Sequence, residues 1–196
     1  SAEVLAVQSA RKPVNRHPGF ASRRRLALPA TLILVAGLVA AVHWPVLGAR
    51  ALAFDDSEYI TRNPLVTQPG WSSVRCFFGE ILKPSSVRGY YHPLTMTSLM
   101  LDAAMGGRSD DLRAFHRTNL ALHMISAVLI VLILHRLLGG LVPAALAGLA
   151  FGLHPLTVEP VAWIAERKTL LATSLALSCV LCYLEYCRRN ARAWLY

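Results

Sequence analysis

One apolar run in this chain, Leu26 to Leu47, is long enough to cross a lipid bilayer. It reads LALPATLILVAGLVAAVHWPVL, about 22 residues without Asp, Glu, Lys or Arg. A hydrocarbon core about 30 Å thick requires about 20 helical residues, so the run is typical of a membrane span. Composition agrees, because 55% of the 196 residues are hydrophobic and only 16% are charged. The sequence therefore predicts an all-α integral membrane protein.

Basic residues cluster beside the apolar runs, and the formal net charge is +9. Such clusters follow the tendency of Lys and Arg to stay on the cytoplasmic side, so we expect no nucleic-acid partner. Residues 1–25 are interpreted as a cytoplasmic basic tail. A cleaved signal peptide is the alternative, since Ala51-Leu52-Ala53 resembles a cleavage site, but the length of the apolar run favours an uncleaved span.

Further apolar runs predict a four-helix membrane domain over residues 26–190. Residues 141–153 rise only about 20 Å before His154-Pro155, so we expect this span to be kinked. Arg188, Arg189 and Arg192 then place residues 191–196 in the cytoplasm together with the N-terminus. The predicted spans are about 26–47, 118–138, 141–165 (kinked) and 170–186, with residues 48–115 as a large outer loop.

The outer loop contains two segments that suit helices lying in the membrane interface. Trp71–Leu82 has an aromatic side, and Pro93–Met105 carries apolar residues around a mostly uncharged surface. Tyr90-Tyr91-His92-Pro93 lies between them, and aromatic rings near acids are common in sugar sites as well as at membrane interfaces.

Three carboxylates follow the first span, at Asp55, Asp56 and Glu58. Closely spaced oxygen ligands suit Mg²⁺ or Mn²⁺, and a carboxylate can also take a proton from an attacking hydroxyl. The alternative is a helix cap with solvated surface acids, in which Asp56 or Ser57 opens a helix.

Ionisable residues also gather at the kink of the third span and just after it. They are costly near membrane depth unless they face a bundle interior or a wet cavity, so they are candidate site residues. Anchoring at the interface is the alternative, with the long cations reaching headgroups. The residues concerned are His154, Glu159, Glu166, Arg167 and Lys168.

The second span carries a polar stripe at His116, Asn119, His123 and Ser126, spaced three or four residues apart and therefore on one helix face. Such a stripe usually packs helices together. We expect His116 and Arg117, at the outer end, to meet a polar headgroup.

Four blocks of sequence, taken in order, resemble one family. They resemble the membrane region of bacterial tetratricopeptide-repeat proteins that are related to the transmembrane O-mannosyltransferases. The resemblance covers about residues 30–190, and its last block is the most specific. The blocks are FDDSEYITRNPLV at 54–66, YYHPLTMTSLMLDAAMGG at 90–107, FHRTNLALHMISAVLI at 115–130 and HPLTVEPVAWIAERKTLLA at 154–172.

The resemblance implies a C-type glycosyltransferase that uses a polyprenyl-phosphate sugar on the outer side of the membrane. The family's catalytic carboxylate maps to Asp55 or Asp56. Arg117, Arg167 and Lys168 are candidates to hold the departing phosphate, while His154 and Glu159 would shape the site. The expected location is a bacterial inner membrane, with the outer loop in the periplasm.

The sequence departs from that family in having four spans and no helical repeat of roughly 34 residues. It is therefore interpreted as the N-terminal part of a longer enzyme or as a shortened relative. In the second case the chain would be a non-catalytic membrane subunit that packs against a larger membrane complex through spans two and four.

Overall fold

The computed structural model describes residues 18–50, 55–80, 87 and 90–189. Within these residues the regular structure is helical, and the one strand-like feature is an isolated bridge between Val87 and Tyr90. The prediction of an all-α chain is confirmed for this part. The α-helices are α1 (Pro18–His43), α2 (Pro64–Thr67), α3 (Trp71–Gly79), α4 (Pro93–Ala104), α5 (Arg113–Leu138), α6 (Leu141–Gly152), α7 (Val158–Ala162) and α8 (Arg167–Arg189).

Three described segments are long and apolar enough to cross a membrane, namely Leu26–Gly48, Arg113–Leu138 and Ile164–Arg188. Residues Leu141–Gly152 and Pro155–Ala162 make a fourth if the two are counted as one span bent by 54°. The bend lies where the sequence predicts a kink. His154 has an extended backbone (φ −67°, ψ 133°), as expected for a residue before proline, so α6 cannot continue through it.

Helix α5 is the centre of the bundle and packs against α1, α6 and α8. It begins at Arg113, earlier than the expected residue 118, and the Asp111 carboxylate accepts a hydrogen bond from the Arg113 N–H (3.1 Å) at this start. It ends at Leu138, where Gly139 adopts a left-handed conformation (φ 71°) and donates its N–H to the His135 carbonyl.

Two glycines four residues apart bring α6 into close contact with its neighbours. A Cβ atom at Gly148 would clash with Val131 of α5, and one at Gly152 would clash with Val39 of α1. Small residues at this spacing let helix backbones approach closely. The three helices therefore share a tightly packed core of Val35, Val39, Ala127, Val131 and Ala144.

The segment between α1 and α5 is a folded layer rather than an open loop. Helices α3 and α4 pack against each other, and α4 also packs against α5 and α8. Helix α3 ends at Gly79, and Leu82, the expected end, lies outside the described residues. The layer is built on a buried apolar cluster that includes Tyr59, Ile60, Phe77, Met96, Leu99, Phe115 and Ile164.

Candidate functional site

Buried polar groups gather where α1 ends and α5 and α8 begin, which we call the Asp56 end of the bundle. Asp56 is 1% exposed, and its carboxylate accepts a hydrogen bond from the Ala165 N–H at 2.9 Å. Ala165 lies in the short 3-10 turn Ile164–Glu166 that leads into α8. This bond ties the acidic segment to a turn 109 residues further along the chain.

The neighbouring acid, Asp55, has different surroundings. Its side chain is exposed, while its carbonyl accepts the N–H groups of Glu58 (2.9 Å) and Tyr59 (3.0 Å) at the start of the short π-helical turn Ser57–Thr61. The carboxylate lies close enough to Lys168 and Tyr59 to interact with both electrostatically. Of the two predicted catalytic carboxylates, Asp55 is thus the one that an external ligand can reach.

The described residues do not form a ready-made Mg²⁺ or Mn²⁺ site at Asp55, Asp56 and Glu58. In the described part of the chain, no group of three or more His, Cys, Asp or Glu side chains converges to hold a metal ion. One Asp56 oxygen is committed to a backbone N–H, and Glu58 is exposed. The metal site therefore stays a prediction, and no chemical step is derived from it.

Lys168 is the cation whose charge reaches Asp55. Its Nζ lies 2.8 Å from Oε1 of Glu166 and 6.0 Å from the centre of the Tyr59 ring. The Tyr59 hydroxyl lies 3.4 Å from Nδ1 of His92, the residue that precedes α4. The Lys168 side chain is 33% exposed, so its ammonium group can still meet a ligand.

Burial controls the ionisation of the two groups beside Lys168. It raises the pKa of the Tyr59 hydroxyl, an effect that the nearby Lys168 charge partly offsets. It lowers the pKa of His92, and the Lys168 charge lowers it further. Tyr59 therefore keeps its proton at neutral pH while His92 is neutral, so the Tyr59 hydroxyl can donate to the His92 ring.

Arg167 points the opposite way from Lys168 and is fully buried. Its Nε donates to Asn119 (2.8 Å), Nη1 donates to Ser98 (3.1 Å) and to Asp102, and Nη2 donates to the Phe115 carbonyl (2.6 Å). A guanidinium group with these partners has no surface left for a ligand. The structure thus argues against the expected phosphate-binding role of Arg167 and makes it a link between α4, α5 and α8.

Asp102 and Asn119 complete this buried network. Asp102, 1% exposed, also accepts the Thr118 hydroxyl at 2.6 Å, and Asn119 donates to the carbonyls of Val161 (3.2 Å) and Trp163 (3.3 Å). Asp102 is missing from the predicted site residues. Asp102 could have been identified from the sequence as the single carboxylate within the mostly apolar stretch MTSLMLDAAM. Such a carboxylate requires a buried partner.

His116 and Arg117 lie on different faces of α5. His116 is fully buried, with Nε2 3.1 Å from the Ala49 carbonyl and Asp56 close enough to interact electrostatically. Its Nδ1 is buried without a hydrogen-bond partner among the described residues. Arg117 is exposed, so of the two expected headgroup ligands only Arg117 can reach one directly.

Arg117 lines a cavity of about 440 Å³ at the Asp56 end. A second cavity, of about 660 Å³, shares Leu47, Gly48 and Arg113 with it and extends past Arg50. The smaller cavity combines apolar and cationic walls, because its lining residues are Trp44, Pro45, Leu47, Gly48, Arg113 and Arg117.

His154 and Glu159 are both exposed at the bend after α6. The His154 ring accepts the Leu156 N–H at 3.2 Å and so closes the turn locally. Across the described residues, neither side chain forms a hydrogen bond, ion pair or ring contact with Asp55 or Lys168. Their expected part in shaping the site stays a prediction.

Comparison with known proteins identifies relatives of this chain. It is 32% identical to protein O-mannosyl-transferase TMTC2 of Mus musculus over 147 residues, which are 72% of this chain and 17% of that protein. It is 30% identical to Tmtc2 of Drosophila melanogaster over 172 residues (84% and 18%) and 32% identical to human TMTC4 over 171 residues (79% and 22%). No family model and no solved structure matches the chain.

The chain therefore spans about a fifth of the length of the curated relatives that it matches. The matched share of this chain, at least 72% in these three cases, supports the resemblance noted from its four sequence blocks. By sequence, this chain is a relative of the transmembrane O-mannosyltransferases.

Proposed function

We propose that this chain forms the N-terminal membrane part of a glycosyltransferase of the O-mannosyltransferase type, which uses a polyprenyl-phosphate sugar on the outer side of the membrane. Its relatives are named protein O-mannosyl-transferases. The observation that carries the proposal is the arrangement at the Asp56 end. There, an exposed Asp55 lies within electrostatic range of Lys168, and the adjacent Asp56 is buried and bonded to the turn before α8.

The proposal places the apolar segments in a bilayer as spans, with both termini in the cytoplasm and the Asp56 end outside. Trp44 supports this placement, since it is 65% exposed just after α1 and indole rings favour the membrane–water interface. The bacterial inner membrane, and a tetratricopeptide-repeat region outside this chain, belong to the same proposal.

In the proposed reaction, Asp55 is the general base. The acceptor hydroxyl oxygen forms a bond to the anomeric carbon of the sugar, and its proton passes to the Asp55 carboxylate. The bond between that carbon and the phosphate oxygen breaks, and the lipid phosphate leaves with the electron pair. Lys168 stabilises the negative charge that develops nearby, because an ammonium group binds phosphate oxygens through charge-assisted hydrogen bonds.

The donor lipid enters through the cavity beside Arg117. Trp44, Pro45 and Leu47 offer an apolar wall to the first isoprene units, and Arg113 and Arg117 face the phosphate. This wall continues directly from α1, so a lipid tail can remain in the bilayer while its phosphate sits at the edge. Asp56 acts as a positioning residue, since its bond to Ala165 fixes the backbone that carries Asp55.

The proposal is tested with the complete enzyme that contains this segment, by measuring mannose transfer from a polyprenyl-phosphate donor in membranes. Asp55→Asn should lower the rate at least a hundredfold, in the range typical of a lost general base, without lowering the thermal stability. Glu80→Gln is the matched control, because Glu80 is an exposed acid in the same layer and its Gln replacement still accepts a hydrogen bond from Cys76. Unchanged transfer by the Asp55→Asn enzyme would remove the proposed role.

A second candidate function is a non-catalytic subunit, and one observation favours it. Within the most apolar window of Ile164–Arg188, only 11% of the residues are buried, and Leu175, Val180 and Tyr183 are exposed. Such a face packs against either lipid or the helices of a partner. Purification in mild detergent separates the two, since a subunit should co-purify with one stable partner and Asp55→Asn should leave the host complex unaffected.

A further inference from the structure

A cavity of about 740 Å³ lies at the opposite end of the bundle, where α5 and α8 end. We call this the Arg136 end. The volume is within the range of pockets that hold small ligands. The cavity lies between three helices, because its lining residues come from α1, from the C-terminal end of α5 with the glycine that follows it, and from α8. Its lining residues are Leu28, His135, Arg136, Gly139, Glu185 and Arg188.

Among the described residues that line this cavity, cations outnumber carboxylates. Nη1 of Arg136 lies 2.5 Å from Oε2 of Glu185, and Nη1 of Arg188 lies 3.8 Å from the same oxygen. Two guanidinium groups therefore share one carboxylate. The Arg136 and Arg188 side chains are 32% and 59% exposed, so both can meet a ligand from outside.

A third polar group on the cavity wall lacks a partner. His135 lines the cavity, and its Nδ1 is buried without a hydrogen bond to any described residue. A buried ring nitrogen without a hydrogen-bond partner is uncommon in folded proteins. The preference of helix C-termini for cations explains a basic residue on each helix, but it does not explain a cavity between them.

We propose that this cavity binds the phosphate group of an anionic phospholipid, with Arg136 and Arg188 as its ligands. Guanidinium groups match phosphate oxygens in geometry and charge, and Leu28 gives the glycerol side of the headgroup an apolar wall. Basic pockets between membrane helices are typical sites for anionic headgroups. The inference rests on the bilayer placement proposed above and is independent of the transferase chemistry at the Asp56 end.

Native mass spectrometry of the full chain in detergent tests the proposal, with phosphatidylglycerol as the anionic probe and phosphatidylcholine as the zwitterionic one. We expect one phosphatidylglycerol to bind preferentially. The double variant Arg136→Gln/Arg188→Gln should weaken its binding about thirtyfold, from the usual effect of two basic residues near a charged lipid surface. Arg62→Gln/Arg108→Gln is the matched control, since it removes two exposed cations elsewhere and should change nothing.

A second variant distinguishes a specific loss of lipid binding from misfolding of the double variant. Glu185→Gln removes the one carboxylate among the described lining residues of the cavity, so it should strengthen phosphatidylglycerol binding while the double variant weakens it. Glycerol 3-phosphate at equal concentration distinguishes the two sources of a phosphate. Binding of the lipid alone supports a headgroup site, whereas equal binding of both overturns the lipid assignment and indicates a site for soluble phosphate esters. Equal binding of phosphatidylglycerol and phosphatidylcholine, or equal binding by all variants, would overturn the proposal.

Discussion

The two ends of this helix bundle each pair an arginine with a carboxylate, in opposite environments. At the Asp56 end, Arg167 and Asp102 are both fully buried and their neighbours complete the hydrogen bonding. At the Arg136 end, the Arg136–Glu185 pair is partly exposed beside a cavity. The same chemistry therefore has two uses. The buried Arg167–Asp102 pair has its hydrogen bonds completed by neighbours and joins helices. The partly exposed Arg136–Glu185 pair is available to a ligand.

Removing one partner of the buried pair should have the largest effect. Asp102→Ala leaves the Arg167 charge buried without its carboxylate, and we expect a loss of about 3–5 kcal/mol in the free energy of unfolding. Chemical denaturation in detergent, followed by far-UV circular dichroism, measures it. The double variant Asp102→Leu/Arg167→Met should recover most of the loss, because it removes both charges. A loss below 1 kcal/mol for Asp102→Ala would contradict the buried network.

The next largest difference is expected between the stability losses caused by alanine at Asp56 and at the adjacent Asp55. Asp56→Ala leaves the buried Ala165 N–H without its acceptor and should cost about 1–3 kcal/mol. Asp55→Ala removes an exposed side chain and should change stability by less than about 0.5 kcal/mol. The two variants are matched in chemistry and differ only in position. Equal losses of stability would mean that the two carboxylates do not differ in burial.

Breaking the ion pair at the other end should matter less. Arg136→Gln is expected to lower the free energy of unfolding by about 0.2–1 kcal/mol, since partly exposed pairs are screened by solvent. The same denaturation assay at low and high salt measures it, and the effect should shrink as salt increases. If Arg136→Gln lowered the free energy of unfolding as much as Asp102→Ala, the two ion pairs would not differ in their contribution to stability.

The smallest expected effect is a pH dependence that arises at the Asp56 end. The pKa of His92 is lowered in the folded protein, so the unfolded chain binds more protons as the pH falls below about 6.5. Stability should therefore decline between pH 7 and pH 5. His92→Asn, which keeps a hydrogen-bond acceptor near the Tyr59 hydroxyl, should reduce this decline in thermal melts. If His92→Asn left the decline unaltered, the pH dependence would come from the titration of other groups.

Helix positions followed from the sequence more readily than side-chain roles. The apolar runs and the proline at residue 155 predict the long helices and the bend, because both signals are local. At the early start of α5, the Arg113 N–H donates a hydrogen bond to the Asp111 carboxylate, a contact that hydropathy cannot register. The close packing at Gly148 and Gly152 was not predicted, although the spacing G-L-A-F-G is visible in the sequence.

The sequence by itself determined that this chain is helical, where its apolar segments lie and which protein family it is related to. Only the tertiary structure decided that Asp56 is buried while Asp55 is exposed, and that Arg167 points into the bundle while Lys168 does not. The physical reason is distance along the chain. Asp56 meets Ala165 across 109 residues and Arg167 meets Asp102 across 65, so burial is set by partners that no local pattern contains.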